Sequence, residues 1–183
     1  MRLLLILGAA LSVGLSLSGC RPAPQDQRVQ AEYDKQTGKL SQLNVDGTKD
    51  GKPNIVSYMD GTKFVRIEID KDEDGLVERW EYYRPDQKLE KVGFSRSNDG
   101  KPDSWAFQGP DGSVARVEIS TKRDGKVDRT EFYAAGELKR AEEDTDADGR
   151  TDKWEEYAAG ALTSVSFDTT KSGKPTITID YTK

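Results

Sequence analysis

The chain has 183 residues, with 28 Lys and Arg against 33 Asp and Glu, a formal net charge of −5, no histidine and one cysteine. Without histidine and with a single thiol, Ser-His-Asp triads, thiol–imidazole dyads and histidine-based zinc sites are excluded, and an acidic balance with no basic run argues against nucleic acid as a partner. Only 34% of the residues are hydrophobic, so any core must be thin, and disorder would follow if the aromatics were scattered rather than regularly placed.

The N-terminus reads as a targeting segment. Arg2 precedes an apolar stretch, Leu3 to Leu17, that is too short to span a bilayer as a mature helix. It ends Leu17-Ser18-Gly19-Cys20, which resembles the lipobox of bacterial lipoproteins. That resemblance implies cleavage after residue 19, a diacylglycerol on Cys20 and attachment to the membrane through lipid. In a Gram-negative host, Arg21 rather than Asp after the cysteine implies sorting to the outer membrane of the cell envelope. Residues 20–30, with two prolines and three glutamines, are expected to be a short tether. A single domain is expected over residues 31–183.

Within that domain one unit recurs six times. Gly51, Gly75, Gly100, Gly125, Gly149 and Gly173 are spaced 24, 25, 25, 24 and 24 residues apart. A second marker keeps the same period: apolar-x-x-apolar-x-apolar, as in Leu40/Leu43/Val45, Phe64/Ile67/Ile69, Leu89/Val92/Phe94, Val114/Val117/Ile119 and Leu162/Val165/Phe167. Leu138/Ala141 starts the remaining copy, which ends in Glu143. Such a period marks a repeat whose units bury their apolar faces by stacking.

Each unit predicts one β-hairpin. A run such as Glu78-Arg79-Trp80-Glu81-Tyr82-Tyr83 favours a strand, Gly, Pro or Asp closes a turn, and an alternating run such as Val65-Arg66-Ile67-Glu68-Ile69 returns as a half-buried strand with one wet face. The extra residue between Leu89 and Val92, and at the equivalent positions, predicts a bulge. The expected fold is all-β: an antiparallel meander of about eleven or twelve short strands, curled, split into a sandwich or closed like a barrel.

Two of the six loops between units are rich in carboxylates. Asp70-x-Asp72-x-Asp74-Gly75-x-x-Glu78-x-x-Glu81 and Asp144-x-Asp146-x-Asp148-Gly149-x-x-Asp152-x-x-Glu155 resemble the twelve-residue calcium loop of EF-hand proteins. The resemblance implies Ca²⁺ held by these carboxylates, backbone carbonyls from Leu76 and Arg150 at the seventh position, and Glu81 and Glu155 as bidentate twelfth ligands. It covers the loops alone, because strands rather than helices flank them. Calcium would then clamp one hairpin to the next. The other four loops, with Lys122 or hydroxyl side chains in place of carboxylates, are expected to be hydrogen-bonded turns.

The expected function is a non-enzymatic, lipid-anchored envelope module, calcium-stabilised and either structural or an interaction surface for an envelope protein. The alternative is a carbohydrate- or peptidoglycan-binding module using Tyr83, Tyr133 and Tyr157, which lie opposite Trp80 and Trp154.

Overall fold

The structure, a computed structural model, describes residues 28–181. The signal segment, Cys20 and most of the expected tether lie outside the described residues. Thirteen strands follow one another in a single antiparallel meander: β1 (Val29–Tyr33), β2 (Leu40–Val45), β3 (Ile55–Asp60), β4 (Lys63–Ile69), β5 (Arg79–Tyr83), β6 (Leu89–Phe94), β7 (Ser104–Gln108), β8 (Val114–Ile119), β9 (Arg129–Ala134), β10 (Glu137–Glu143), β11 (Lys153–Ala158), β12 (Ala161–Phe167) and β13 (Ile177–Asp180). Each strand pairs only with its sequence neighbours, so neither barrel nor sandwich forms: the fold is one open layer. The first strand starts at Val29, inside the segment expected to be tether.

The bulge appears in all six hairpins. In β5–β6, Tyr83 faces Leu89 and Tyr82 faces Lys91, leaving Glu90 as the extra residue; the other five hairpins shift register at the equivalent place. The bulge brings Leu89 and Val92, three residues apart, to one side of the sheet, and it explains why the apolar spacing departs from strict alternation.

A single layer has no second sheet to cover either side, and the one-wet-face expectation fails: most strand residues on both sides are half-buried. Among the described residues the buried apolar side chains are Trp80, Val92, Ala141 and Val165. Side chains are therefore covered mainly by their lateral neighbours on adjacent strands. One row runs Ile67–Glu81–Val92–Ala106–Val117–Glu131–Ala141–Glu155–Val165 across the sheet, so the apolar residues share their side with glutamates. Trp80 lies opposite Glu68 and Gly93 in a row on the other side.

Candidate metal centre

All six inter-hairpin loops are closed by the same bond. The ninth residue accepts the backbone N–H of the second: Gly47 to Asn54 Oδ1 (2.8 Å), Lys71 to Glu78 Oε2, Arg96 to Asp103 Oδ2 (2.9 Å), Thr121 to Asp128 Oδ1 (2.7 Å), Thr145 to Asp152 Oδ1 (3.0 Å) and Thr169 to Thr176 Oγ1 (2.9 Å). Amide, carboxylate or hydroxyl oxygen serves equally, because only an acceptor is required. The fourth residue is left-handed in every loop: Lys49, Glu73, Asn98, Arg123, Ala147 and Lys171. That is a conformation most side chains avoid. The loops without a full carboxylate set are thus hydrogen-bonded turns, as expected.

In the first acidic loop, carboxylate oxygens of Asp70, Asp72, Asp74 and Glu78 lie within 4.8 Å of one another. Asp70 Oδ2 accepts the N–H of Gly75 at 2.9 Å, a position with φ of 91° that glycine fills without strain. Asp70 Oδ1 and Glu78 Oε1 are sealed from solvent with no hydrogen-bond donor. Burial, together with the neighbouring carboxyls of Asp72 and Asp70, pushes Glu78 above the usual carboxylate range. From the next loop Asn98 Nδ2 donates to Asp72 Oδ2 and Asp74 Oδ2, each at 3.0 Å.

In the second acidic loop the cluster is Asp144, Asp146 and Asp152, again within 4.8 Å. Its oxygens have partners. Asp144 Oδ2 accepts Gly149 N at 2.7 Å, and Asp152 accepts both the N–H and the hydroxyl of Thr145. From the next loop comes Lys171, the positional equivalent of Asn98, with its ammonium 2.7 Å from Asp146 Oδ2 and 3.4 Å from Asp148 Oδ2. That ammonium holds the Asp146 carboxyl below its usual range.

The twelfth-position glutamates do not join either cluster. Glu81 lies on β5, where it accepts Arg79 Nε and the Tyr83 hydroxyl. Glu155 lies on β11, 9% exposed, and accepts Arg129 Nη2 (2.8 Å), Lys153 Nζ (2.8 Å) and the Tyr157 hydroxyl (2.9 Å). Burial raises Glu155, but these donors outweigh it and hold the carboxyl at about 2. The reason is strand parity: a strand that begins at the tenth position carries the twelfth residue onto a sheet face, whereas the exiting helix of an EF-hand turns it back to the ion. Leu76 and Arg150 donate their backbone N–H to Asp74 Oδ1 and Asp148 Oδ1, and the Arg150 guanidinium reaches the Lys171 carbonyl at 3.4 Å.

Tyr83, Tyr133 and Tyr157 are half-buried and spend their hydroxyls on Glu81, Glu131 and Glu155. Burial and the adjacent glutamate push Tyr83 and Tyr133 up to about 12. Arg129 holds this region together, bonding Glu131 (2.9 Å), Glu143 (3.2 Å) and Glu155 across three strands.

On the other side of the sheet runs a feature the sequence reading missed. Tyr58–Arg66–Tyr82–Lys91–Phe107–Arg116–Phe132–Arg140 are successive neighbours in one cross-strand row. Arg66 lies over the Tyr58 ring (4.2 Å), Arg116 over Phe107 (4.2 Å) and Arg140 over Phe132 (4.4 Å). Lys91 sits 4.9 Å from Tyr82, 4.5 Å from Trp105 and 5.9 Å from Phe107. Each such contact contributes about 0.5–1 kcal/mol where exposed. Arg66, Lys91, Arg116 and Arg140 recur every 24 or 25 residues; that signal was available but points to the ladder only once the bulge fixes the register. Cations thus lie over the rings of Tyr58, Phe107 and Phe132 along the row.

No protein-family profile matches the sequence, and no curated protein matches it. Among solved structures, TarM is similar over 56% of this chain and 20% of its own length, at 14% identity and a TM-score of 0.43. A point mutant of S. aureus TarM in complex with Fondaparinux, alpha-GlcNAc-glycerol and UDP matches over the same shares at 13% identity and the same TM-score. Accessory secretory protein 1, 2 and 3 of Streptococcus pneumoniae is similar over 74% of this chain and 20% of that one, at 13% identity and a TM-score of 0.24. The chain spans about a fifth of each, and likenesses this low carry no functional argument.

Proposed function

We propose that this protein is a non-catalytic, lipid-anchored envelope module whose single-layer sheet is stiffened by calcium, bound chiefly in the loop of Asp70, Asp72, Asp74 and Glu78. The observation that carries this reading is the pair of sealed, donorless oxygens, Asp70 Oδ1 and Glu78 Oε1, within a cluster of four carboxylates. Buried carboxylate oxygens are stable when paired with a donor or a cation, and oxygen-only donor sets suit calcium. In the Asp144 loop, Lys171 supplies a positive charge from the chain itself, and calcium there must displace it. The anchor would be the lipid on Cys20, and the partner an envelope protein.

The test is calorimetric titration of the protein with calcium. One dominant binding event is expected, with a dissociation constant on the order of 10⁻⁴ to 10⁻³ M, typical of extracellular modules. Calcium at about ten times that constant would stabilise the fold by about 1.4 kcal/mol. Absence of heat and of any thermal shift at millimolar calcium overturns the metal assignment. Labelling with a palmitate analogue tests the anchor, with Cys20→Ser expected to abolish incorporation.

A further inference from the structure

The sheet ends in two unpaired edges, β1 and β13. The register shift between β1 and β2 places its extra residue, Ser41, on β2, so it leaves the outer side of β1 regular, and β1 exposes Val29 and Tyr33 (44% and 62%). β13 has no register shift, proline or lysine. Its residues Ile177, Ile179 and the following Tyr181 are 51%, 47% and 52% exposed. They occupy the positions that on β11 carry Lys153, Glu155 and Tyr157, and on β9 Arg129, Glu131 and Tyr133. An apolar pair thus replaces a charged pair at the rim of the sheet.

The backbone phase is defined as well. Tyr181 N donates to Thr163 O at 2.8 Å. In an antiparallel ladder this directs the amides of Ile177, Ile179 and Tyr181 inward to β12, and leaves those of Thr178 and Asp180 facing outward.

We propose that β13 is a strand-addition site whose occupant is β13 of a second copy of this chain, paired antiparallel about a two-fold axis through Ile179. The segment is self-complementary in that register. Ile179 meets Ile179 of the second copy, Ile177 meets Tyr181, and on the other side of the sheet Thr178 meets Asp180, so no like charges stand opposite. The outward amides of Thr178 and Asp180 fall on the hydrogen-bonded pairs, and the three apolar residues fall on the closer, non-hydrogen-bonded ones. So short a strand pair buries well under the ~1,200 Å² of a standard stable interface. The association is therefore weak and rises with concentration.

Register-specific disulfide trapping of the full-length chain tests this. Ile179→Cys should cross-link to itself on oxidation, because non-hydrogen-bonded partners stand at a Cα separation a disulfide spans. Its dimer yield should exceed that of Thr178→Cys by about tenfold, since residues 178 of the two copies are not opposite. The double variant Ile177→Cys/Tyr181→Cys should cross-link, and each of its single variants should not. The wild-type chain sets the background, and unchanged thermal melting of each variant shows that the fold persists. Equal yields at 178 and 179, or no dimer above wild type in the 179 and double variants, overturn the proposal.

Discussion

One difference between the two acidic loops lies in a residue that neither of them contains. Each presents clustered carboxylates around the same backbone turn, and each is approached by the left-handed fourth residue of the following loop. At the first loop that residue is Asn98, whose neutral amide touches Asp72 and Asp74. At the second it is Lys171, which brings an ammonium to Asp146 and Asp148. The first cluster receives only a neutral amide and keeps two donorless oxygens; the second receives an ammonium. A loop motif therefore states which carboxylates are present, but the adjacent repeat decides what charge is set against them.

The strands that leave the loops extend this contrast, and give the largest expected effect. Glu155 is tied to Arg129, Lys153 and Tyr157, whereas Glu81 has only Arg79 and Tyr83. Arg129→Met should cost about 3–5 kcal/mol, because it strands partly buried glutamates on three strands. Arg79→Met should cost about 1 kcal/mol or less, as its side chain is 42% exposed. Urea melts compare the two; similar losses would mean that the second network is no stronger than the first.

A pH profile sharpens the same point. Glu155 is depressed from 4.5 to about 2 in the fold, so its contribution is present above its unfolded value and is lost as pH falls from about 4.5 towards 2. The change amounts to about 3 kcal/mol. Chemical denaturation across that range should show this acid limb in the wild type and a flatter one in Arg129→Met.

Calcium response separates the loops themselves. Asp74→Asn should remove most of the stabilisation of about 1.4 kcal/mol expected at tenfold excess calcium, while Asp146→Asn should leave it nearly intact; thermal melts with and without calcium decide. Glu78 gives a second handle. Its pKa is raised, so the protonated form favours the fold, and that contribution is lost as pH rises through the raised value. Calcium requires the ionised form, so affinity should fall as pH drops towards that value, which titrations at two pH values will show.

Lys171→Met carries the smallest stability effect. The side chain is 65% exposed, so the metal-free loss should stay below about 1 kcal/mol. The gain is in binding: calorimetry should show a second calcium equivalent that wild type lacks or binds more weakly. No change in stoichiometry or affinity would mean that Lys171 does not set the difference.

How much was legible follows from range. The 24- and 25-residue spacing of glycines and apolar markers determined the hairpins, and Leu89-x-x-Val92 located the bulge, because turns and pleat are local properties of the backbone. The hydrogen-bonded turns at Asp103 and Asp128 were legible for the same reason, as was the clustering of Asp70, Asp72, Asp74 and Glu78 around a short turn. The assignment of Glu81 and Glu155 as ligands was not secure, because the twelfth residue's direction depends on whether the chain leaves the loop as helix or strand.

Tertiary structure alone decided three things: that thirteen strands stay in one open layer, that Arg66 and Tyr58 stack along one side while Arg129 ties glutamates on the other, and that Asn98 and Lys171 enter loops 23 to 26 residues before them. These are cross-strand relations. Sequence periodicity sets what each repeat is, but only the register between repeats places one unit's charge against another's.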